Sequence, residues 1–442
     1  MRRLVQILLF LVWVDESRTM YSAHLFAPFS WTRPLLLETP IASVRIFDIV
    51  MFAVLAGSVS RGAFKTATVR PVRRTLLGAL GVTLLALLYG LVTGGSARAA
   101  GWQSYLPMSM ILATFAVAAT HQTADHFRGL LKAFVAAGLV HAVMCLVFHF
   151  FWVNAGRVTP LPDFETTHDD TVTWTVTIAA LLLLALQYPT RRNRILAGLV
   201  IPMLIAAIQF NKRRLAWVSL IGDLIALYYV LPINTTKRRL KRAVSVALPV
   251  ILLYVAIGWG RPESIFRPLR SFQTVSSEQD KSTEARNVEN LGLIATASQN
   301  GWLMGSGWGH KYVEVSGKYN IYFFELWPYV PHNSVLGLLA YTGYVGFVGY
   351  WMCFPMAAFF HARVARQGAK PLDRYMGAVG LVQLVSCADQ WYGDMGSFSP
   401  VTMYALASSL AMALRLPIGS GVWSNRGTPP RPVRTQAPIR GA

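Results

Sequence analysis

Acidic residues are scarce in this chain, and so is charge as a whole. Only 20 Asp and Glu stand against 41 Lys and Arg, and charged residues make up 14% of 442 positions. A soluble domain carries roughly 25%, so the composition argues against a solvated globular fold. Cysteine is nearly absent too. Cys145, Cys353 and Cys387 each fall in an apolar run without CxxC spacing. That argues against a disulfide or metal set and leaves them as packing residues. No GxxxxGK[ST], HExxH or GxSxG occurs, which removes the P-loop, zincin and α/β-hydrolase signatures. There is no Asp-x-Asp pair, and Asp169 and Asp170 are adjacent, so they would point apart on a helix. Neither a metal nor a cofactor is expected.

Apolar residues dominate instead, at 54%. Twelve runs have about the length a spanning helix needs, roughly 20 residues. They lie near 4–20, 41–60, 75–93, 104–120, 131–153, 171–187, 195–210, 215–231, 243–259, 333–361, 375–389 and 400–416. The first is interrupted by Asp15, Glu16 and Arg18; without a small-residue cleavage site it reads as a span or anchor, not a signal peptide. The expected fold is an all-α polytopic membrane protein over 1–416, with about twelve transmembrane helices and a disordered basic tail over 417–442.

The net charge of +21 does not point to nucleic acid, because no binding signature accompanies it. The cations sit between apolar runs. With the N-terminus inside, the loops 61–74, 188–194, 232–242 and 362–374 and the tail are all internal, and all are basic. The external loops 94–103, 154–170 and 390–399 hold one, one and no Lys or Arg. This alternation places both termini in the cytoplasm. Lys212-Arg213-Arg214 breaks it by falling outside. Two readings stand: cations snorkelling to phospholipid head groups, or a site for an anionic substrate.

One long outer loop, 260–331, lies between spans 9 and 10. It holds seven Lys/Arg, seven Asp/Glu and the aromatics Trp302, Trp308, Tyr312, Tyr319, Tyr322 and Trp327. A long aromatic loop of balanced charge is expected to fold and to carry function. The stretch 284–298 reads as a helix. After Pro331, His332 and Asn333 open span 10, with Asn333 as N-cap. A histidine at a membrane-edge helix start can act as a general base, or serve only as a structural hydrogen-bonder. Arginine suits a diphosphate because it is planar, permanently charged and able to bind two oxygens. Arg286 reads either that way or as a loop salt bridge with Glu284 or Glu289. Gly305–Gly309 reads as a turn. Within the spans, Arg45, Asp48 and Asp223 are either functional or structural.

Taken in order, Asn211–Trp217 (NKRRLAW), Arg286, Gly305–Gly309 (GSGWG) and His332–Gly346 (HNSVLGLLAYTGYVG) form a pattern that resembles the O-antigen ligase and Wzy polymerase superfamily of bacterial surface-polysaccharide enzymes. The resemblance covers about the C-terminal half directly. It implies a metal-independent, inverting glycosyltransferase that works on the periplasmic face. The donor would be an undecaprenyl-diphosphate-linked glycan, and the acceptor a glycan or lipid A–core. His332 matches the proposed base and Arg286 the loop arginine. Arg214 matches an arginine that commonly follows a Ser in the family and is expected, with Arg286, to stabilise the departing diphosphate, while Arg213 occupies that Ser position and is expected among the substrate-binding residues. Lys212, Asn333, Gly307, Trp308 and Gly309 complete the expected substrate-binding set. Membrane lipids and a chain-length regulator protein are the further partners. KRR in place of Ser-Arg leans toward polymerisation of repeat units. The alternatives are a ligase that moves a finished chain to lipid A–core, a protein O-oligosaccharyltransferase, for which the C-terminal tail is small, and a lipid-linked glycan flippase.

Overall fold

The computed structural model describes residues 1–15, 29–38, 40–41, 44–65, 67–159, 162, 164–261, 263–274, 281–316 and 327–425. Helices account for nearly all the regular structure there. They are α1 (Arg2–Trp13), α2 (Ile46–Ser60), α3 (Arg70–Val92), α4 (Ala97–Thr120), α5 (Ala124–Phe148), α6 (Asp170–Gln187), α7 (Arg191–Asn211), α8 (Arg214–Val230), α9 (Thr235–Gly258), α10 (Arg267–Thr274), α11 (Lys281–Asn300), α12 (Ser334–Trp351), α13 (Cys353–Gln367), α14 (Pro371–Gly393) and α15 (Pro400–Gly419). Among the described residues the only strands are the antiparallel pair Pro40–Ile41 and Val44–Arg45.

The helices begin where the sequence offers caps. Ser96, Thr123, Thr190, Asn234, Asn333 and Ser399 each accept a backbone N–H from the first turn of the helix that follows. Proline stands at the first or second position of α3, α14 and α15, where its missing N–H costs nothing.

Seven helical segments are long and apolar enough to cross a membrane: α3, α5 with its extension to Val153, α6, α7, α9, the α12–α13 pair and α15. This is the build of a multi-pass membrane protein, with seven segments meeting that criterion among the described residues instead of the twelve expected. Each shortfall has a physical cause. Helix α1 ends at Trp13, and its 12 residues reach only about 18 Å of a hydrocarbon core about 30 Å thick. Beyond it Asp15 is buried against Arg33 at 2.5 Å; Glu16 and Arg18 lie outside the described residues. Helices α4 and α14 are long but polar, burying Gln103, Ser104, Ser109 and Thr114, and Gln383, Ser386 and Gln390. They face protein, where partners replace lipid, so apolarity is not required of them. Helices α2 and α8 have 15 and 17 residues.

The stretch expected as one span over 333–361 is two helices that meet at Met352. Helix α12 is itself bent at Gly343, whose φ of +59° suits glycine. The bend frees the amides of Tyr344 and Val345, which donate to the carbonyls of Trp302 and Leu303 in the loop.

Helix α14 lies at the centre and packs on α6, α8, α13 and α15. An 18-residue stretch of α15 is 94% buried, whereas the corresponding stretch of α9 is 6% buried and presents its apolar side chains outward. The three cysteines are buried and form no disulfide within α5, α13 and α14. Residues 417–425, expected to be disordered, are ordered. Helix α15 continues through Pro417 to Gly419. Trp423 then packs edge-on to Phe360, and Asn425 bonds to Thr68 and Arg70. Residues 426–442 lie outside the described residues, as do Tyr319 and Tyr322.

Candidate active site

The KRR segment is a reversal between two helices. Helix α7 ends at Asn211, Lys212 adopts a left-handed conformation with φ +62°, Arg213 is the N-cap residue, and α8 begins at Arg214. Asn211 holds the neighbouring loop: its Oδ1 accepts from Thr166 N at 2.8 Å and its Nδ2 donates to Thr167 O at 3.3 Å. Lys212 Nζ donates to Pro162 O. That loop therefore lies against Arg213, whose guanidinium sits 3.7 Å from the centre of the Phe164 ring.

A second reversal joins α14 to α15. Asp394 ends α14, and Met395 is left-handed with φ +56°. Met395 N donates to His332 O at 2.7 Å, and Ser397 N donates to Ser334 Oγ at 3.2 Å. The Asp394 turn is thus stitched to the start of α12. Among the described residues, Lys212 and Met395 are the only non-glycine residues with positive φ. Each costs on the order of 1 kcal/mol, and each adjoins a charged residue of the site, which is where backbone strain tends to gather.

Helix α11 covers the stretch read as a helix. Arg286 and Glu289 lie three residues apart on it, so they share a face. The helix packs on α12, and Thr296 Oγ1 accepts from Val313 N at 2.8 Å.

These pieces enclose a cavity of about 380 Å³ lined by Phe164, His168, Arg213, Ala285, Arg286, Glu289, Trp327, His332, Asp394 and Met395. This is an ordinary size for a small-molecule site. Three cationic or ionisable groups surround the Asp394 carboxylate: Arg213 Nη1 at 3.7 Å, Arg286 Nη2 at 3.8 Å and His168 Nδ1 at 3.7 Å. All three distances exceed hydrogen-bonding range. Burial would raise the Asp394 pKa, but His168, Arg213, Arg286 and His332 outweigh it and hold the carboxyl below its ordinary value. Around Asp394 two permanent positive charges meet one carboxylate, while Glu289, the second carboxylate of the lining, is engaged by His332 and Tyr312, so the arginine side of the cavity is suited to an anion.

Beside it stands a second pair. The Glu289 carboxylate takes the Nδ1 of His332 at 3.1 Å, the backbone N–H of His332 at 3.1 and 3.2 Å, and the Tyr312 hydroxyl at 3.2 Å. Glu289 is buried and His332 is 27% exposed, so the imidazole keeps an accessible side.

The expected site residues divide. His332, Arg286 and Arg213 line one cavity. Arg214 is not among its lining residues; it occupies the first position of α8. Lys212 shapes the reversal through its left-handed backbone. Asn333 caps α12 through Leu336 N and donates to Asn290 Oδ1, a packing role. Gly307, Trp308 and Gly309 do not line the cavity either. Their turn docks onto α3, where Trp308 N donates to Ala86 O, and a Cβ on Gly307 would lie 2.3 Å from Gly90 Cα. Arg286 pairs with Asp394, and not with Glu284 or Glu289 on its own helix.

Sequence reading missed His168, Glu289 as the partner of His332, Phe164 and Asp394. Two signals were present: an acid in the one outer loop without any Lys or Arg, and a Glu one helical turn after Arg286. Arg45, Asp48, Asp170 and Asp223 have structural partners. Asp48 accepts from Tyr105 and Ser109, Arg45 lies over the Tyr105 ring, Asp223 accepts from Ser386, and Asp170 pairs with His141. No protein-family model matches the chain, and no curated protein matches it.

Proposed function

We propose that this protein transfers a glycan from an undecaprenyl-diphosphate-linked donor to an acceptor sugar hydroxyl, at the periplasmic face of a bacterial inner membrane. The observation that carries the reading is the convergence of Arg213 and Arg286 on one buried carboxylate, in the same cavity as the His332–Glu289 pair. Two guanidinium groups on one side of a cavity and a potential base on the other suit displacement of a diphosphate.

His332 takes the proton of the acceptor hydroxyl. The oxygen then bonds to the anomeric carbon from the face opposite the leaving group. The bond from that carbon to the diphosphate breaks, and its electron pair stays on the departing oxygen. Arg213 and Arg286 bind the diphosphate oxygens and stabilise their growing charge. Asp394 lies near both guanidinium groups and offsets their mutual repulsion until the donor arrives. Inversion at the anomeric carbon follows from a single displacement. Arg213, which lines the cavity, takes the diphosphate role in preference to Arg214.

A multi-pass topology with both termini cytoplasmic completes the reading. Every lining residue then falls at an outer helix end or in an outer loop: 154–170, 211–214, 260–332 and 390–399. Reporter fusions at 280 and 430 check this, with the first expected outside and the second inside.

Polymerisation of repeat units is the favoured reaction. The test is the lipid-linked and surface glycan of a strain lacking the protein, complemented with wild type, R213A or H332A. Single repeat units accumulating without long chains support a polymerase. Full-length chains left on undecaprenyl diphosphate would make it a ligase. Repeat units held on the cytoplasmic side, or normal glycan from both variants, would overturn the enzyme reading.

A further inference from the structure

The groups around Glu289 make an arrangement that the transfer reaction does not by itself require. Three donors surround this one buried carboxylate: the backbone N–H of His332, its ring Nδ1 and the Tyr312 hydroxyl. A carboxylate accepts and does not donate, so the ring nitrogen facing it must carry a proton. In a neutral imidazole that proton leaves the lone pair on the other nitrogen. Tyr312 cannot act as the acceptor in this set. Burial and the neighbouring Glu289 carboxylate both push its phenol pKa up, so it stays protonated and donates. The Tyr312 ring is in turn held edge-on by Trp327, with centroids 5.2 Å apart and planes at 90°. Because Glu289 grips both the backbone amide and the ring of the same histidine, it fixes the ring's rotation as well as its proton.

We propose that Glu289 is a positioning residue that locks His332 in the Nδ1–H tautomer, so that Nε2 presents its lone pair to the hydroxyl of a bound sugar acceptor. The proposal rests on the reading of His332 as the base, but the tautomer can be measured whatever reaction the protein performs. Tyr312 and Trp327 serve as the buttress that keeps Glu289 in place. Arg286 lies one helical turn away on α11, so a single rigid helix sets both the anion-binding arginine and the orientation of the base.

The experiment uses the purified full-length protein in detergent, with histidine labelled by ¹⁵N and the His332 signals assigned by their loss in H332A. The expected wild-type spectrum has a protonated Nδ1 and an unprotonated Nε2. In E289Q the amide can donate as well as accept, so the signals should move to the other tautomer or to a mixture. Undecaprenyl diphosphate should bind E289Q within about 2-fold of wild type, while transfer from the lipid-linked donor falls on the order of 100-fold. Y312F keeps the carboxylate, and should keep the tautomer and lose no more than roughly 10-fold in transfer, which guards against a folding defect in E289Q. A protonated Nε2 in wild type, or an E289Q protein with full transfer and an unchanged spectrum, would overturn the proposal. If the tautomer is as expected but H332A transfers normally, the reading of His332 as the base fails while the tautomer assignment stands.

Discussion

The Arg213 guanidinium lies 3.7 Å from the Asp394 carboxylate, near enough to feel its charge and too far to share a hydrogen bond. The two residues sit in reversals far apart in sequence. Each is set by a neighbour in the left-handed conformation, Lys212 and Met395. Arg286 faces the same carboxylate at 3.8 Å, so the two guanidinium groups stand on one side of the cavity.

Replacing either arginine tests this directly. R213A and R286A should each lower transfer by about 100-fold or more, with the protein still present in membranes. R214A should lose far less, because Arg214 is not among the residues lining the cavity. The check is donor consumption in isolated membranes. Equal losses for R213A and R214A would rule out the preference for Arg213.

Asp394 gives a pH signature in stability. Its folded-state pKa is held below the ordinary value of 3.8, after burial is outweighed by His168, Arg213, Arg286 and His332. A depressed carboxyl contributes stability that is fully present above 3.8 and is lost as pH falls through the lower folded value. The melting temperature of wild type should therefore drop in that acidic window. D394N should melt lower at neutral pH, where the arginines lose their counter-ion, and should fall less steeply in acid. Parallel melting profiles would contradict the assignment.

Turn 305–309 should matter for folding and not for chemistry. Gly307 has φ +83°, and a Cβ there would press on Gly90 of α3. G307A should cost about 3 kcal/mol from backbone strain and overpacking, seen as a lower melting temperature in detergent. Transfer per folded molecule should change little.

The buried pair near the first helix offers a second stability test. Asp15 is 4% exposed and Arg33 34%. R33A leaves the carboxylate buried without its cation and should destabilise by about 3 kcal/mol, the low end for such a pair because Arg33 still touches solvent. Adding D15N should recover much of that loss, since the double variant buries no unpaired charge. A double variant no more stable than R33A alone would show that the pair is not coupled.

Much of the fold is local in origin and is therefore legible in the order of the amino acids. Apolar runs bounded by Ser96, Thr123, Thr190, Asn234, Asn333 and Ser399 specify their own helices, because caps and hydrophobic length act within a few residues. The helical nature of 284–298, the N-cap role of Asn333 and the singling out of Arg213, Arg286 and His332 follow from the same short-range logic. Which helices face lipid does not. Helices α4 and α14 are polar because they are interior, and no window of sequence states whether a helix faces lipid or protein. The partners of the site residues are hidden for a related reason. Arg286 could have paired with Glu284 or Glu289 on its own helix, yet it meets Asp394, over one hundred positions away. Coulomb attraction depends on distance in space, and that distance is set only when the ends of α6, α7, α12 and α14 are packed together. The sequence by itself determined which segments are helical and which cations could meet an anion. The tertiary structure alone decided that Asp394 gathers them, and that Glu289 is bound to the histidine.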